Sequence, residues 1–408
     1  MSEVSRRGFL VAGGTVAASA ALIARGGQAP AQAAAMRRDA EEFDEHSYLA
    51  EYTVSFDGAH QAGISTPHQA HLNLVGFDFH AGASREDVQR LLKLWTSDAR
   101  ALCQGETPPG SLEPEMSASP ANLTITCGIG PRVFEIIGEK RPGFLDPIPA
   151  FELDELEENW GQTDLVLQIC GDDPTTVSHA TRHMVRSSKT YVSTGWMQQG
   201  FLNAHGTSGE SPTPRNLFGQ LDGSVNPRGV EDFAEQVWID DGPDWARDST
   251  VMVVRRIRMN LDTWEELDRA SRENAVGRRL DDGAPLSGGG EFDDIDLHAT
   301  DDYGLPVIDR NSHAARAHPP AGHPEQRLLR RSYNYDLPPV PGDQLSNSGL
   351  VFICFQKDPH EQFVPIQKRL DERDLLNEWI THIGSAAYWI PPGVGRDRDA
   401  YWAQSLLE

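Results

Sequence analysis

The chain has 408 residues, and its 61 Asp and Glu against 36 Lys and Arg give a formal net charge of −25 at pH 7. Phosphate backbones and anionic membrane surfaces repel a chain this acidic, which makes nucleic acid an unfavourable partner. The mean hydropathy is −0.47, and beyond the N-terminus no apolar run is long enough to span a bilayer, which excludes a polytopic membrane protein. The length fits one large domain or two mid-sized domains.

The first 35 residues have the pattern of an export signal. Arg6 and Arg7 precede a short apolar stretch rich in Ala and Gly, and small residues at 29–35 offer cleavage sites. The pattern resembles a twin-arginine signal, whose pathway exports folded proteins that often carry a cofactor. We therefore expect the twin-arginine export machinery as a partner and a periplasmic or extracellular location. No stable membrane insertion is expected after cleavage.

Strand-like and helical patterns alternate along the rest of the chain. In the first half, strands are predicted at 72–79, 122–127, 164–171 and 190–196, with helices that begin near Ser84 and span 175–186. In the second half, strands are predicted at 251–259 and 350–355, with helices at 262–272 and 360–380. This order, without a dinucleotide-binding glycine motif, predicts two α+β halves.

Four cysteines, none at C-x-x-C spacing, indicate buried free thiols rather than a disulfide scaffold or a zinc motif. They are Cys103, Cys127, Cys170 and Cys354.

A long irregular stretch at 279–346 contains residues that suit a binding site. His313, His318 and His323 recur every five residues, but they lack the partners of a zinc site. A haem iron needs only one histidine, so the spacing leaves both a haem ligand and solvated loop histidines open. The acidic run at 292–303 lacks the calcium-loop pattern and is predicted to be solvated surface.

Two further segments carry candidate site residues. Asp222 lies between two glycines in the segment 218–227, which fits either a plain Asp-Gly turn or a carboxylate on a tight loop that approaches a ligand. Arg330 and Arg331 are adjacent. Such a pair either contacts surface carboxylates or directs one guanidinium inward to hold anionic oxygens.

Taken together and in this order, these segments resemble the dye-decolourising peroxidase family, in particular its exported branch with the deferrochelatases. The similar segments are 58–67, 215–227, 312–319, 329–335 and 350–370. Gly219, Asp222 and Gly223 form the G-x-x-D-G motif. His318 stands where the family usually has an Asn before Pro, which leaves His318 as a rival to His313 for the axial position.

The resemblance implies an α+β fold with two ferredoxin-like domains in one chain, arranged as a dimeric α+β barrel, and one haem b in the C-terminal half. We predict a signal peptide at 1–35, an N-terminal domain at 36–215 and a haem-binding domain at 216–408. A homo-oligomer is left open.

The resemblance also implies the roles of the site residues. His313 would bind the haem iron, Asp222 would move the protons of hydrogen peroxide, and Arg330 would stabilise developing negative charge, with Arg331 as the alternative. The residues expected to contact the haem are Gly223, Ser224, Val225, His313, His318, Pro319, Pro320 and Arg330.

The implied activity is the oxidation of dyes, phenols and other bulky organic reductants by hydrogen peroxide. A catalytic carboxylate titrates below a histidine, so an acid optimum is expected. Two alternatives remain. The first is a deferrochelatase-like protein that releases or carries iron, and the second is an acidic extracellular binding module without a cofactor.

The export signal is testable by mutation. We expect replacement of both Arg6 and Arg7 by Lys to leave haem-loaded precursor in the cytoplasm, because the twin-arginine pathway requires the pair. Cell fractionation and immunoblotting measure the distribution. Undiminished export of the double variant would show that another route is used.

Overall fold

The computed structural model describes residues 49–204, 207, 213–339, 341–342 and 345–408. The predicted export signal lies outside these residues. Within the described ranges, nine strands belong to one antiparallel sheet, and no helix is both long enough and apolar enough to cross a bilayer.

The N-terminal half contains four strands that follow a β-α-β-β-α-β order. Its elements are β1 (His71–Phe79), α1 (Arg85–Cys103), α2 (Pro114–Ser117), β2 (Thr124–Ile129), α3 (Pro131–Ile137), β3 (Leu165–Gly171), α4 (Pro174–Ser188) and β4 (Val192–Phe201). The strands lie in the order β2-β3-β1-β4. With α1 and α4 as the crossover helices, this is the ferredoxin-like arrangement.

The C-terminal half repeats this order. Its elements are α5 (Gly229–Gln236), β5 (Thr250–Met259), α6 (Leu261–Trp264), α7 (Arg269–Val276), α8 (His313–Ala317), β6 (Leu329–Arg330), β7 (Tyr333–Leu337), β8 (Asn347–Gln356), α9 (Phe363–Arg373), β9 (Ile380–Ile390) and α10 (Gln404–Leu407). Both β6 and β7 pair with β8, so they form one interrupted strand. The order β9-β5-β8-β7 therefore corresponds to β4-β1-β3-β2 in the N-terminal half.

The two four-stranded halves join at both edges. Ile129 of β2 pairs with Trp389 of β9, and Phe201 of β4 pairs with Asn334 of β7. Because β5 also pairs with both β8 and β9, the sheet closes on itself. The predicted α+β class with two ferredoxin-like halves is thus confirmed.

Most strands bury side chains on both faces because closure places one face inside the barrel while helices cover the other, whereas β4 leaves most of its outward-facing side chains exposed. Residues at alternate positions point to opposite faces of a strand. The interior cluster includes Leu72, Leu74, Val166, Met252, Val254, Tyr333, Tyr335, Ile353 and Tyr388. The cluster that also includes α1 and α4 contains Val75, Phe77, Leu167, Ile169, Val253, Leu91 and Val177.

Several predicted elements are confirmed, and two helices need correction. Ser84 starts α1 through a capping box with Asp87, as predicted. The predicted helix at 262–272 is wrong, because Asn260 caps the short α6 and Asp268 caps a separate α7. The predicted helix at 360–380 is also wrong, since α9 ends at Arg373 and the unpredicted β9 begins at Ile380.

The cysteines behave as predicted. Cys103, Cys127, Cys170 and Cys354 are all free and buried. Burial raises the pKa of each thiol, so none of them is a reactive thiolate at neutral pH.

Substitution of Gly349 tests how tightly β8 packs against β5. A Cβ at this position would collide with the Ile257 carbonyl oxygen and with the Tyr335 ring, 2.5 Å from its Oη. We expect Gly349→Ala to destabilise the fold by about 1–3 kcal/mol or more, because neither the backbone nor a buried ring can move away cheaply. Thermal unfolding measures the effect, with Gly395→Ala as the control, since a Cβ there meets no atom within 4 Å. An equal melting temperature for both variants would contradict this packing.

Candidate active site

A cavity of about 440 Å³ lies on the outer side of the C-terminal half of the barrel. Its size is typical of a site for a small molecule or a cofactor. The sheet contributes an apolar wall through Ile257, Leu350 and Phe352. Much of the remaining wall comes from α8, from α9 and from the loop at 216–228. Residues within 292–295, 326–330 and 374–382 also contribute, so the sequence segments of interest meet here.

One side of the cavity carries a histidine with a buried carboxylate behind it. His313 is the first residue of α8, and its Nδ1 lies 2.6 Å from Oδ2 of Asp374. The Asp374 side chain has no solvent exposure and also accepts the Leu376 N–H at 2.9 Å. A proton held on Nδ1 leaves the lone pair of Nε2 available, which is the form of histidine that binds a metal.

Asp374 is the functional residue that sequence analysis missed. Its carboxylate accepts the second N–H of His313. Its only local signal is that it precedes the short 3₁₀ segment Leu375–Glu378, whose N-cap it forms. Nothing in that pattern indicates a histidine sixty-one positions away.

The loop at 216–228 and β6 bring a carboxylate and a guanidinium together. Nη2 of Arg330 lies 2.6 Å from Oδ1 of Asp222, and the Asp222 side chain is only 6% exposed. Oδ1 of Asp222 and Nε of Arg330 are both buried without a hydrogen-bond partner among the described residues, since the ion pair lacks hydrogen-bond geometry. The pair therefore retains capacity to bind a small polar ligand.

Glycine allows the chain to turn sharply around Asp222. The backbone φ angles are +85° at Gly219 and +127° at Gly223, values that residues with a side chain rarely adopt. The Asp222 N–H donates to the Pro214 carbonyl at 2.8 Å, and the Asn226 N–H donates to the Gly223 carbonyl at 3.0 Å. The carboxylate thus stands on a fixed turn rather than on a mobile loop.

The adjacent arginines have different environments. Arg331 is 1% exposed, and its guanidinium donates to the carbonyls of Thr66 and Pro67 and to the side chain of Gln69. Arg331 therefore holds the segment 66–69, whereas Arg330 lines the cavity and contacts Asp222.

The three loop histidines also separate. His318 follows α8 and lines the cavity, with Nε2 3.2 Å from Oδ1 of Asp294. His323 is exposed and pairs with Glu325 at 2.9 Å. Of the three, only His313 has a fully buried carboxylate partner.

The other predicted contact residues divide between the cavity wall and the surface. Gly223, Ser224, Val225 and Pro319 line the cavity. Pro320 is exposed and does not line it, because the chain turns outward after Pro319. The acidic run at 292–303 is mostly exposed, as predicted, but its first four residues, 292–295, line the cavity.

His382 on β9 is a second buried histidine of the cavity wall that sequence analysis did not single out. Burial lowers its pKa to about 3, and the nearby charges of Arg255 and His313 act in the same direction. The imidazole is therefore neutral at neutral pH.

Comparison with known proteins identifies the family. The family model for the N-terminal region of Dyp-type peroxidases matches residues 61–202, and the model for their C-terminal region matches residues 213–395. The chain belongs to the Dyp-type peroxidase family.

Curated relatives and a solved structure agree with this assignment. A dye-decolorizing peroxidase from Thermobifida fusca is 33% identical over 99% of this chain and 97% of its own length. A deferrochelatase from Escherichia coli K12 is 34% identical over 86% of each chain. The crystal structure of a DyP-type peroxidase from Cellulomonas bogoriensis superposes with a TM-score of 0.85 at 43% identity, over 89% of this chain and all of that one.

His382 makes the stability of the protein depend on pH. Its pKa is about 3 in the folded state and near 6.5 in an unfolded chain, so between these values only the unfolded state binds the proton. Stability should therefore fall as the pH drops below about 6.5, by up to about 1.4 kcal/mol per pH unit from this group. We expect the melting temperature of His382→Gln to decrease less between pH 7 and pH 5 than that of the unmodified protein. An equal loss would show that His382 is protonated in the folded state.

Proposed function

We propose that this protein is an exported haem peroxidase that uses hydrogen peroxide to oxidise dyes, phenols and other bulky reductants. The observation that carries the proposal is that two independent pairs line one cavity. One is His313 with Asp374, which suits an axial iron ligand, and the other is Asp222 with Arg330, which suits peroxide. The chemistry of these donors matches the family to which the chain belongs.

The residues of the cavity fit a haem b. His313 would hold the iron through Nε2, and the apolar side chains of β5 and β8 would cover the macrocycle. Gly223 lets the backbone of the loop come close. The unpartnered polar atoms of Asp222 and Arg330 would lie toward the peroxide side. When bound, haem supplies the iron redox chemistry that cleaves the O–O bond of peroxide.

The residues of the chain divide the remaining work. Asp222 would accept a proton from one peroxide oxygen and return it to the other. The guanidinium of Arg330 donates N–H groups to the oxygen on which negative charge develops. Asp374 fixes the orientation of His313 and increases the basicity of its ring.

The charge of the protein favours one class of reductant. With a net charge of −25, the surface attracts cationic dyes near neutral pH and repels anionic ones, and salt weakens both effects. A cavity of about 440 Å³ would leave no room for a bulky dye beside a bound haem, so such reductants would be oxidised at the protein surface.

A second candidate function is iron release, which the similarity to the Escherichia coli deferrochelatase favours. The fold and the axial ligand would be the same for both functions. Incubation of the haem-loaded protein with and without peroxide distinguishes them. Free iron with an intact porphyrin indicates iron release, whereas catalytic loss of a dye only with peroxide indicates a peroxidase.

His313 can be tested as the axial ligand. We expect His313→Ala to lose haem or to bind it weakly, because no other described imidazole has a buried carboxylate behind it in this cavity. His318→Ala and His323→Ala should retain the Soret absorbance of the unmodified protein and serve as matched controls. Loss of the Soret band in His318→Ala alone would move the axial position to His318.

Asp222 and Arg330 should differ in their effects on the reaction with peroxide. Water can replace a proton shuttle at a cost, so Asp222→Asn should slow the reaction roughly 10²–10⁴-fold and change its pH dependence. Water cannot replace a fixed cation, and loss of one preorganised donor costs on the order of 10²–10³-fold, so Arg330→Leu should also remove rapid turnover.

Stopped-flow spectra after mixing with peroxide, together with steady-state dye turnover, measure both effects. Arg331→Leu is not a suitable control, because that side chain is buried. If Arg330→Leu reacts at the rate of the unmodified protein, Arg330 does not serve the peroxide site. If the unmodified haem-loaded protein oxidises no reductant with peroxide, the peroxidase proposal fails.

A further inference from the structure

We propose that Asn226 is a positioning residue that fixes the distance between Asp222 and Arg330. This inference rests on the proposed function, in which these two side chains act on peroxide. Asn226 lies four residues after Asp222, on the same glycine turn, and it lines the same cavity.

The side-chain amide of Asn226 makes two reciprocal hydrogen bonds with the backbone of Arg330. Its Nδ2 donates to the Arg330 carbonyl at 2.8 Å, and its Oδ1 accepts the Arg330 N–H at 2.9 Å. A backbone segment paired with a neighbouring strand makes the same two bonds. The amide therefore occupies the place of a strand partner at Arg330 and joins the loop at 216–228 to β6.

This connection is needed because Arg330 is at the end of a two-residue strand. On its other side, β6 pairs only with β8, through Leu329 and Arg330. After Arg330 the regular strand is interrupted until Tyr333, and the one described backbone bond of this gap to β8 runs from the Arg331 N–H to the Ile353 carbonyl at 2.8 Å. Without Asn226, nothing among the described contacts would join the Arg330 backbone directly to the turn that carries Asp222.

Local geometry supports an amide at this position. The backbone N–H of Asn226 closes the turn on Gly223, and a Cβ at Gly223 would lie 3.1 Å from Nδ2 of Asn226. The glycine thus leaves room for the amide to face Arg330. Pro227 follows and restricts the backbone of Asn226 to extended conformations. The side chain is therefore preorganised before any ligand binds.

A double-mutant cycle tests whether Asn226 acts through Arg330. We expect Asn226→Ala to lower the rate of reaction with peroxide by about 10- to 100-fold, since a displacement of about 1 Å in a reacting group has effects of this size. In the Arg330→Leu background, the same change should leave the already reduced rate unaltered. Its effect on melting temperature should be equal in both backgrounds, because both hydrogen bonds go to the backbone of residue 330.

A crystal structure of the haem-free Asn226→Ala protein gives a readout that does not need activity. The separation between Nη2 of Arg330 and Oδ1 of Asp222 should exceed the 2.6 Å of the unmodified chain. Asn226→Asp is the second variant if Asn226→Ala does not fold. It retains the acceptor for the Arg330 N–H but loses the donor to the Arg330 carbonyl, and the same pattern is expected.

Asn73→Ala is the matched control. The Asn73 amide donates to Oγ1 of Thr181 at 2.9 Å and is buried, but it does not line the cavity. Its loss should lower the melting temperature and leave the peroxide rate unchanged. An equal loss of rate for Asn226→Ala in both backgrounds, or an unchanged Arg330–Asp222 separation, would overturn the inference. If the unmodified protein does not react with peroxide, the proposed function fails, whereas the separation still decides the role of Asn226.

Discussion

The candidate site depends on the alternation of side chains between the two faces of a strand. This alternation directs Arg330 and Arg331 to opposite sides of the sheet. Arg330 faces the cavity and meets Asp222, while Arg331 turns away and holds the segment 66–69 of the N-terminal half. Two adjacent arginines would repel each other if both faced the same pocket. The interrupted strand thus uses one cation for the site and the other for the contact between halves.

Burial of Arg331 has a physical cost that its partners must offset. Its side chain is 1% exposed and its described hydrogen-bond acceptors are neutral oxygens of Thr66, Pro67 and Gln69. Burial of a guanidinium is costly unless its donors find acceptors. The two Nη atoms of Arg331 do so, whereas its Nε is buried without a partner among the described residues. The opening segment of the N-terminal half is therefore part of the environment of β6, so the two ferredoxin-like halves are not independent supports of the cavity.

The sequence predicted those elements whose signals are local. The capping box at Ser84 and Asp87 starts α1 as expected. Apolar alternation identified β1, and strand-like apolar runs identified β3, β5 and β8. The side to which Arg330 or Arg331 points was not predictable from the pattern, because it depends on the pairing of β6 with β8. The family resemblance supplied that choice, and the geometry of the cavity agrees with it.

The failure of the helix prediction at 360–380 has a physical cause that lies in the site itself. The apolar spacing of α9 continues past Arg373, but Asp374 leaves the helix with extended backbone angles. Its carboxylate accepts the Leu376 N–H and the Nδ1–H of His313, and the second of these is a tertiary contact that no local pattern contains. A helix continued through residue 374 would not leave its carboxylate free to cap the next turn in this way. Asp374, which orients the proposed iron ligand, therefore also ends α9 and allows β9 to begin six positions later. The end of this helix and the orientation of His313 thus depend on the same residue.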